Sequence, residues 1–251
     1  IAECAFEDCN NPFNVTMPSF MKNIDDKVFY NCIGLESITL PDSLEYIGKS
    51  TFEGCINLDS ISFPTNLYTF DDYAFKNCSS LTSVYLHHNI KWLGVGVFNY
   101  CNNLATVYYN CKNANKIGFS RGLSGSYPFR NCENLTTVIF GDSVSKVPSY
   151  AFSRVYSLEN VVFSNSIDTI GNSSFEETAI ENLVLSNSVK YIDLWGFYKC
   201  YDLKNITFGS SFRRMESSSF VSSYNIETVT CKSMTPPSSV ALYTDYSNPI
   251  V

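Results

Sequence analysis

Ten phenylalanines recur along this chain at almost constant spacing: Phe6, Phe29, Phe52, Phe75, Phe98, Phe129, Phe152, Phe175, Phe197 and Phe220. The steps are 23 residues, except 31 between Phe98 and Phe129 and 22 between Phe175 and Phe197. Self-similarity at a fixed period of about 20–50 residues is the mark of a solenoid. One unit shows the pattern in full: Phe29, Cys32, Leu35, Ile38, Leu40, Leu44 and Ile47 stand at offsets 0, 3, 6, 9, 11, 15 and 18. Burying such a side chain is worth roughly 1.5–3 kcal/mol. Ordering the backbone costs about 1–2 kcal/mol per residue. A single coil therefore cannot stand alone and needs neighbours above and below, with hydrogen bonds between them.

Within a repeat, the L-x-x-I-x-L segments (Leu35, Ile38, Leu40; Leu58, Ile61, Phe63; Leu81, Val84, Leu86) end in alternation and read as short strands. Turn formers such as Gly34, Asn57 and Ser80 precede each leucine. Pro41 and Pro64 stop the strand, since proline donates nothing to a ladder. Leu44 and Ile47 begin a second side, and Gly48 is read as the residue of a tight corner. The segment 49–54 is too short for a helix of its own, so one helical or 3₁₀ turn is expected there, held by Phe52 and Cys55. The fold class that follows is a β-rich solenoid, a right-handed curved stack of about ten 23-residue coils with short strands and single helical or 3₁₀ turns. At about 4.8 Å per coil it would run to roughly 50 Å.

Three regions follow. Residues 1–27 are a degenerate first repeat, with Pro12 in a leucine slot. The chain starts in mid-repeat, and Ile1 is the counterpart of Ile47, so it reads as a mature or trimmed fragment. Residues 28–218 are the array proper, with no composition break. Its fifth repeat carries eight extra residues, placed at 118–127 (GFSRGLSGSY), a glycine- and serine-rich loop. One residue is missing near Thr178. Residues 219–251 read as a C-terminal cap or a truncated coil.

Seven of ten cysteines fall at offset 3: Cys9, Cys32, Cys55, Cys78, Cys101, Cys132 and Cys200. Val155 and Thr178 occupy the same slot elsewhere, and neither pairs nor binds metal. The column therefore reads as buried free thiols acting as small hydrophobes. A disulfide staircase is the alternative; among the remaining pairs, Cys4–Cys9 is the one to check first. No C-x-x-C pair accompanies His87 and His88, so no metal site is expected.

Charge excludes further classes. The net charge of −7 leaves no basic cluster for nucleic acid or for an anionic membrane surface. No apolar run approaches the roughly 20 residues of a membrane span. Asp71-Asp72 and Glu176-Glu177 read as solvated corners, and His87-His88 as a turn on the rim. Neither histidine has a sequence neighbour that would make it a base for a nucleophile. Gly94-x-Gly96 lacks the rest of a phosphate loop, so neither catalysis nor a cofactor is expected. Sequons at Asn14, Asn77, Asn134, Asn172 and Asn205 matter only in a secreted eukaryotic product.

What remains is surface. The outward column of the main strand reads Thr16, Thr39, Ser62, Tyr85, Tyr108, Ile139, Val162, Val184, Thr207 and Thr230. Its ends are hydroxylic and its middle is aromatic and aliphatic. Tyr85, Tyr108, Ile139, Val162 and Val184 are the candidate contact residues, with Phe119 and Arg121 of the loop at 118–127 bordering them. The competing reading is that such residues simply favour strands.

The unit LESITLPDSLEYIGKSTFEGCINL, 35–58, resembles the BspA-like leucine-rich repeat of the Treponema type, in its I-G corner, its F-x-x-C step and its following N-L. The likeness runs from Ala5 to Thr230, and the tail CKSMTPPS, 231–238, is similar to segments that end such arrays. It implies a secreted or envelope-anchored surface protein of a host-associated microbe, whose signal segment would lie outside this sequence. It further implies adhesin-like binding of a host, matrix or cell-surface protein through the concave strand face. Glycan capture by Tyr85, Tyr108 and the loop, or service as a rigid spacer, are the alternatives. The long fifth repeat and the cysteines missing after Phe152, Phe175 and Phe220 depart from the family pattern.

Overall fold

The computed structural model describes residues 2–11, 15–112, 116–118 and 127–233. They build about nine turns of parallel β-solenoid and contain no helix. The chain divides into two compact units, 1–135 and 136–251.

In the first unit, two-residue strands form one parallel ladder: β1 (Asn23–Ile24), β2 (Tyr46–Ile47), β3 (Thr69–Phe70), β5 (Trp92–Leu93) and β7 (Lys116–Ile117). Their register steps one coil at a time, as in Ile24 to Ile47 to Phe70 to Leu93 to Ile117. The main strand appears as a regular element only in β4 (Ser83–Leu86) and β6 (Thr106–Tyr109), which pair in parallel. The earlier segments at Leu35 and Leu58 make a single bridge, Ser37 to Ser60. Proline accounts for one missing bond. The slot that Pro41 and Pro64 fill in two coils holds Asn110 in a later one, and its N–H donates to the Leu86 carbonyl at 2.8 Å. Proline has no such N–H, so the coils that carry Pro41 and Pro64 lack that bond.

The second unit repeats the plan. β8 (Thr137–Phe140) pairs with β10 (Asn160–Val162), and β12 (Asn182–Val184), β14 (Asn205–Phe208) and β16 (Thr228–Cys231) form a second main-strand ladder. The other side is β9 (Lys146–Val147), β11 (Thr169–Ile170), β13 (Tyr191–Ile192) and β15 (Arg214–Met215).

The phenylalanines form the centre of each unit. In the first, centroids step 5.3, 5.2, 5.0, 5.5 and 5.3 Å from Phe6 through Phe29, Phe52, Phe75 and Phe98 to Phe129, all stacked. In the second, Phe152, Phe175, Phe197 and Phe220 step 5.9, 5.3 and 5.2 Å. Such near-parallel stacking is favourable when rings are offset. Phe29 to Phe197 are fully buried, whereas Phe6, in the first coil, is half-buried.

The helical turn expected around each phenylalanine is a run of β-turns. Residues flanking the ring take left-handed backbone angles, for instance Lys27 (φ 54°) and Asn31 (φ 53°) around Phe29, and Tyr73 (φ 60°) before Phe75. Such angles cost non-glycine residues free energy and forbid a continuous helix. Coil-to-coil hydrogen bonds offset that cost: Lys27, Phe29 and Asn31 donate N–H to Lys49, Thr51 and Glu53 of the next coil at 2.9, 2.8 and 2.7 Å. Gly48 needs no unusual φ. A Cβ there would lie 2.7–2.8 Å from the backbone of Asp25 and Asp26, so glycine permits the coils to approach.

Candidate functional site

The outward column of the main strand is present, and the structure sorts it by unit. In the first, Tyr85 and Tyr108 are in register on β4 and β6, with ring centroids 6.5 Å apart. They are 56% and 42% exposed, while their neighbours Val84, Leu86, Val107 and Tyr109 point inward. Strict alternation thus places two amphipathic rings side by side on a rigid ladder. Thr16, Thr39 and Ser62 of the same column lie in the coils before them.

In the second unit, Ile139 and Val162 are in register across β8 and β10. Val162 is exposed and Ile139 partly so. Val184, also exposed, pairs with Thr207 instead, because among the described residues the ladder is interrupted between β10 and β12. The interruption falls in the coil that is one residue short. Ile139 and Val162 therefore form one patch and Val184 stands on another ladder. Phe119 and Arg121 lie outside the described residues, as does most of the loop at 118–127.

Beside the aliphatic column runs a polar one that sequence reasoning missed. Asn205 Nδ2 donates to Asn182 Oδ1 at 2.7 Å, and Thr228 Oγ1 donates to Asn205 Oδ1. Lys204 pairs with Glu181 at 3.0 Å. Asparagines at one position in three successive coils, Asn160, Asn182 and Asn205, were the available signal.

From Cys32 onward the thiol column is buried and free, as expected, but the thiols also act as donors. Each Sγ–H points at the phenylalanine carbonyl one coil back: Cys55 to Phe29, Cys78 to Phe52, Cys101 to Phe75 and Cys200 to Phe175, at 3.0–3.2 Å. Ser223, in the same slot, donates to Phe197 O at 2.9 Å. Thr178 donates to Phe175 O at 3.0 Å. Burial pushes the Cys101 thiol up to about 12 and the Cys32 and Cys200 thiols to about 11. At neutral pH these thiols therefore carry almost no thiolate. Cys4 and Cys9 are half-buried and Cys231 is exposed.

The remaining titratable residues are structural. His87 is buried, which corrects its reading as a rim residue; only His88 is exposed. His87 Nε2 lies 2.9 Å from the Pro64 carbonyl, and its Nδ1 accepts the Asn89 N–H at 3.3 Å, which defines a neutral ring. Burial lowers its pKa. Asp71 accepts the Tyr46 hydroxyl at 2.6 Å, and Asp72 accepts the Val95 N–H at 2.7 Å. Arg154 reaches Glu176 and Glu177 at 3.9 and 3.6 Å, and Lys199 reaches Glu177 at 3.5 Å. Both acidic pairs are thus tied into the fold and are not freely solvated corners. Among the described residues, no cluster of three potential ligands could hold a metal ion, and no helix is long and apolar enough to cross a membrane.

Comparison with known proteins follows this geometry. The profile of the BspA type leucine rich repeat region matches residues 1–122 and 124–243, in six copies. A leucine-rich repeat protein from Bacteroides ovatus is 26% identical with a TM-score of 0.65, over 93% of this chain and 58% of that one. The chain thus spans little more than half the length of that protein. The leucine-rich repeat protein of T. pallidum is 21% identical, with a TM-score of 0.53 over 66% of this chain and 76% of that one, and shares the fold. Comparison with curated proteins gives no significant match.

Proposed function

This chain belongs to the BspA-type leucine-rich repeat family, and from that premise we propose that it is a non-enzymatic, adhesin-like module, secreted or held at the cell surface, that binds a host or matrix protein through its outward strand face. The observation that carries the reading is the Tyr85–Tyr108 pair. Two exposed rings, in register on a rigid ladder, supply contact area at little entropic cost. Tyrosine is enriched among the residues that dominate protein interfaces. The hydroxyls of Thr39 and Ser62, in the same column, make a polar border. The ladder holds these side chains without a loop to order, so binding need not spend free energy on fixing backbone.

The test uses the whole chain against a panel of immobilised extracellular-matrix proteins. Replacing Tyr85→Ser and Tyr108→Ser together should weaken the strongest interaction at least about thirtyfold, the effect of a hot spot of about 2 kcal/mol or more. Unchanged binding to every retained protein would overturn the assignment. The compartment is tested by fractionating cells that express the full-length gene product: recovery only from the cytosol would refute it.

A further inference from the structure

We propose that the strand side of the first two coils docks an extended peptide strand, apolar with a basic end, through main-chain hydrogen bonds; the site is independent of the reading of Tyr85 and Tyr108. Three observations meet there. The first is a row of backbone groups with nothing to bond. Tyr85 and Leu86 pair in register with Tyr108 and Tyr109. Thr16, Met17, Thr39 and Leu40 hold the same offsets in the first two coils, yet neither their N–H groups nor their carbonyls make a backbone hydrogen bond among the described residues. An unpaired row of this kind is a template for a further strand. The second is incomplete burial. At offset 9, Val84 and Val107 are 2% and 0% exposed, while Val15, Ile38 and Ile61 are only half-buried. Apolar surface is thus left open where later coils close over it. The third is space. A cleft of about 580 Å³ is lined by corresponding residues of the two coils: Thr16 and Thr39, Met17 and Leu40, Ser19 and Asp42. Ligand sites run from about 300 to 1,000 Å³.

These features select the occupant. Donors and acceptors that recur at a strand rise of about 3.3 Å match the main chain of an extended peptide, which carries both at the same interval. A sugar ring has no such repeat. Val15, Met17 and Leu40 supply apolar contact for alternate side chains of that peptide. The charged residue in the lining is Asp42, which is exposed and whose carboxylate makes no hydrogen bond or ion pair among the described residues. It follows Pro41, where the row of backbone donors is broken, so a basic side chain at an end of the peptide meets it there.

The test uses the full chain and fluorescent hexapeptides of alternating valine and threonine, with a lysine at the first or the last position. Fluorescence polarisation should show saturable binding below millimolar concentration for one of the two. N-methylation of alternate peptide nitrogens, tried in both registers, should weaken it at least about tenfold in one of them. Glutamate in place of the lysine, or Asp42→Asn, should weaken it about two- to fivefold, as loss of an exposed ion pair does, and high salt should erase that difference. Thr39→Trp, which fills the cleft from an exposed position, should abolish binding with the urea midpoint unchanged. Tyr85→Ser with Tyr108→Ser should leave it intact, so that the two sites stand or fall separately. The proposal is overturned if no peptide binds at millimolar concentration, if both N-methylated peptides bind as the parent peptide does, or if the Thr39→Trp variant binds as the parent chain does. A dimer in sedimentation that Thr39→Trp dissociates, with no peptide bound, would give the cleft to a second copy and overturn it as well.

Discussion

Truncating one phenylalanine of the ladder tests how stability is shared along the stack. Phe75 is fully buried, with Phe52 and Phe98 stacked at 5.0 and 5.5 Å and Phe63 and Phe70 edge-on at 5.5 and 5.9 Å. Cutting a buried phenylalanine to alanine costs about 3–5 kcal/mol. Ring pairs contribute about 0.5–1.5 kcal/mol each beyond burial, and four are lost here, so Phe75→Ala belongs at the top of that range, at about 5 kcal/mol. Phe6 makes the contrast. It is half-buried in the first coil, where it stacks on Phe29 at 5.3 Å. Half the burial gives about 2 kcal/mol for Phe6→Ala. Urea titration followed by far-ultraviolet circular dichroism measures both, with midpoint and slope read separately because a change in slope would report altered cooperativity. The thermal midpoint should fall by about 10–20 °C for Phe75→Ala. Equal losses at the two positions would refute the account in which each coil draws its interior from its neighbours.

Two further outcomes follow from the thiol column and from His87. With the Cys101 thiol pushed up to about 12, its thiolate fraction at pH 7 is on the order of 10⁻⁵, so a thiol reagent such as DTNB should rapidly label only Cys4, Cys9 and Cys231 in the native protein; rapid labelling of five or more sites would contradict the buried column. His87 is neutral when folded and its pKa is lowered by burial, so its contribution to stability is complete above about pH 6.5 and declines as pH falls from there toward the folded value. The urea midpoint of the parent should therefore drop between pH 7.5 and 5.5 by more than that of His87→Asn; equal drops would refute the role given to the Asn89 N–H bond.

The period was legible because a solenoid repeats its core, and the core is apolar. The ring ladder and the thiol column needed only counting. Less legible was whatever depends on the backbone. Leu35 and Leu58 carry the same pattern as Leu81, yet regular strands form only where Pro41 and Pro64 are replaced by residues with an N–H. The turn side was read as helical because short apolar spacing around Phe52 suits a helix, and nothing in a side-chain pattern reports the left-handed angle at Ser50 (φ 53°). The thiols looked like mere fillers because Val155 shares their slot. Thr178 and Ser223, which keep a donor there, were the hint to their hydrogen bonds. On the strand face, alternation located Tyr85 and Tyr108 correctly, but a short coil separates Val184 from the ladder of Val162. That deletion was visible near Thr178, though its effect on the ladder depends on the backbone of the adjoining coils.

The turn side has one more property. Its inter-coil N–H groups all point the same way: Phe29 to Thr51, Phe52 to Ala74 and Phe75 to Val97 in one unit, Phe152 to Ser174 and Phe175 to Gly196 in the other. Peptide dipoles so aligned add in series, as they do along a helix, while those of a strand alternate and cancel. Each stack is therefore electrically polar along this flank, with its carbonyl groups directed toward its leading edge and its N–H groups toward its trailing edge. Anything that seals the two edges must be chemically unlike: a donor for the first and an acceptor for the last.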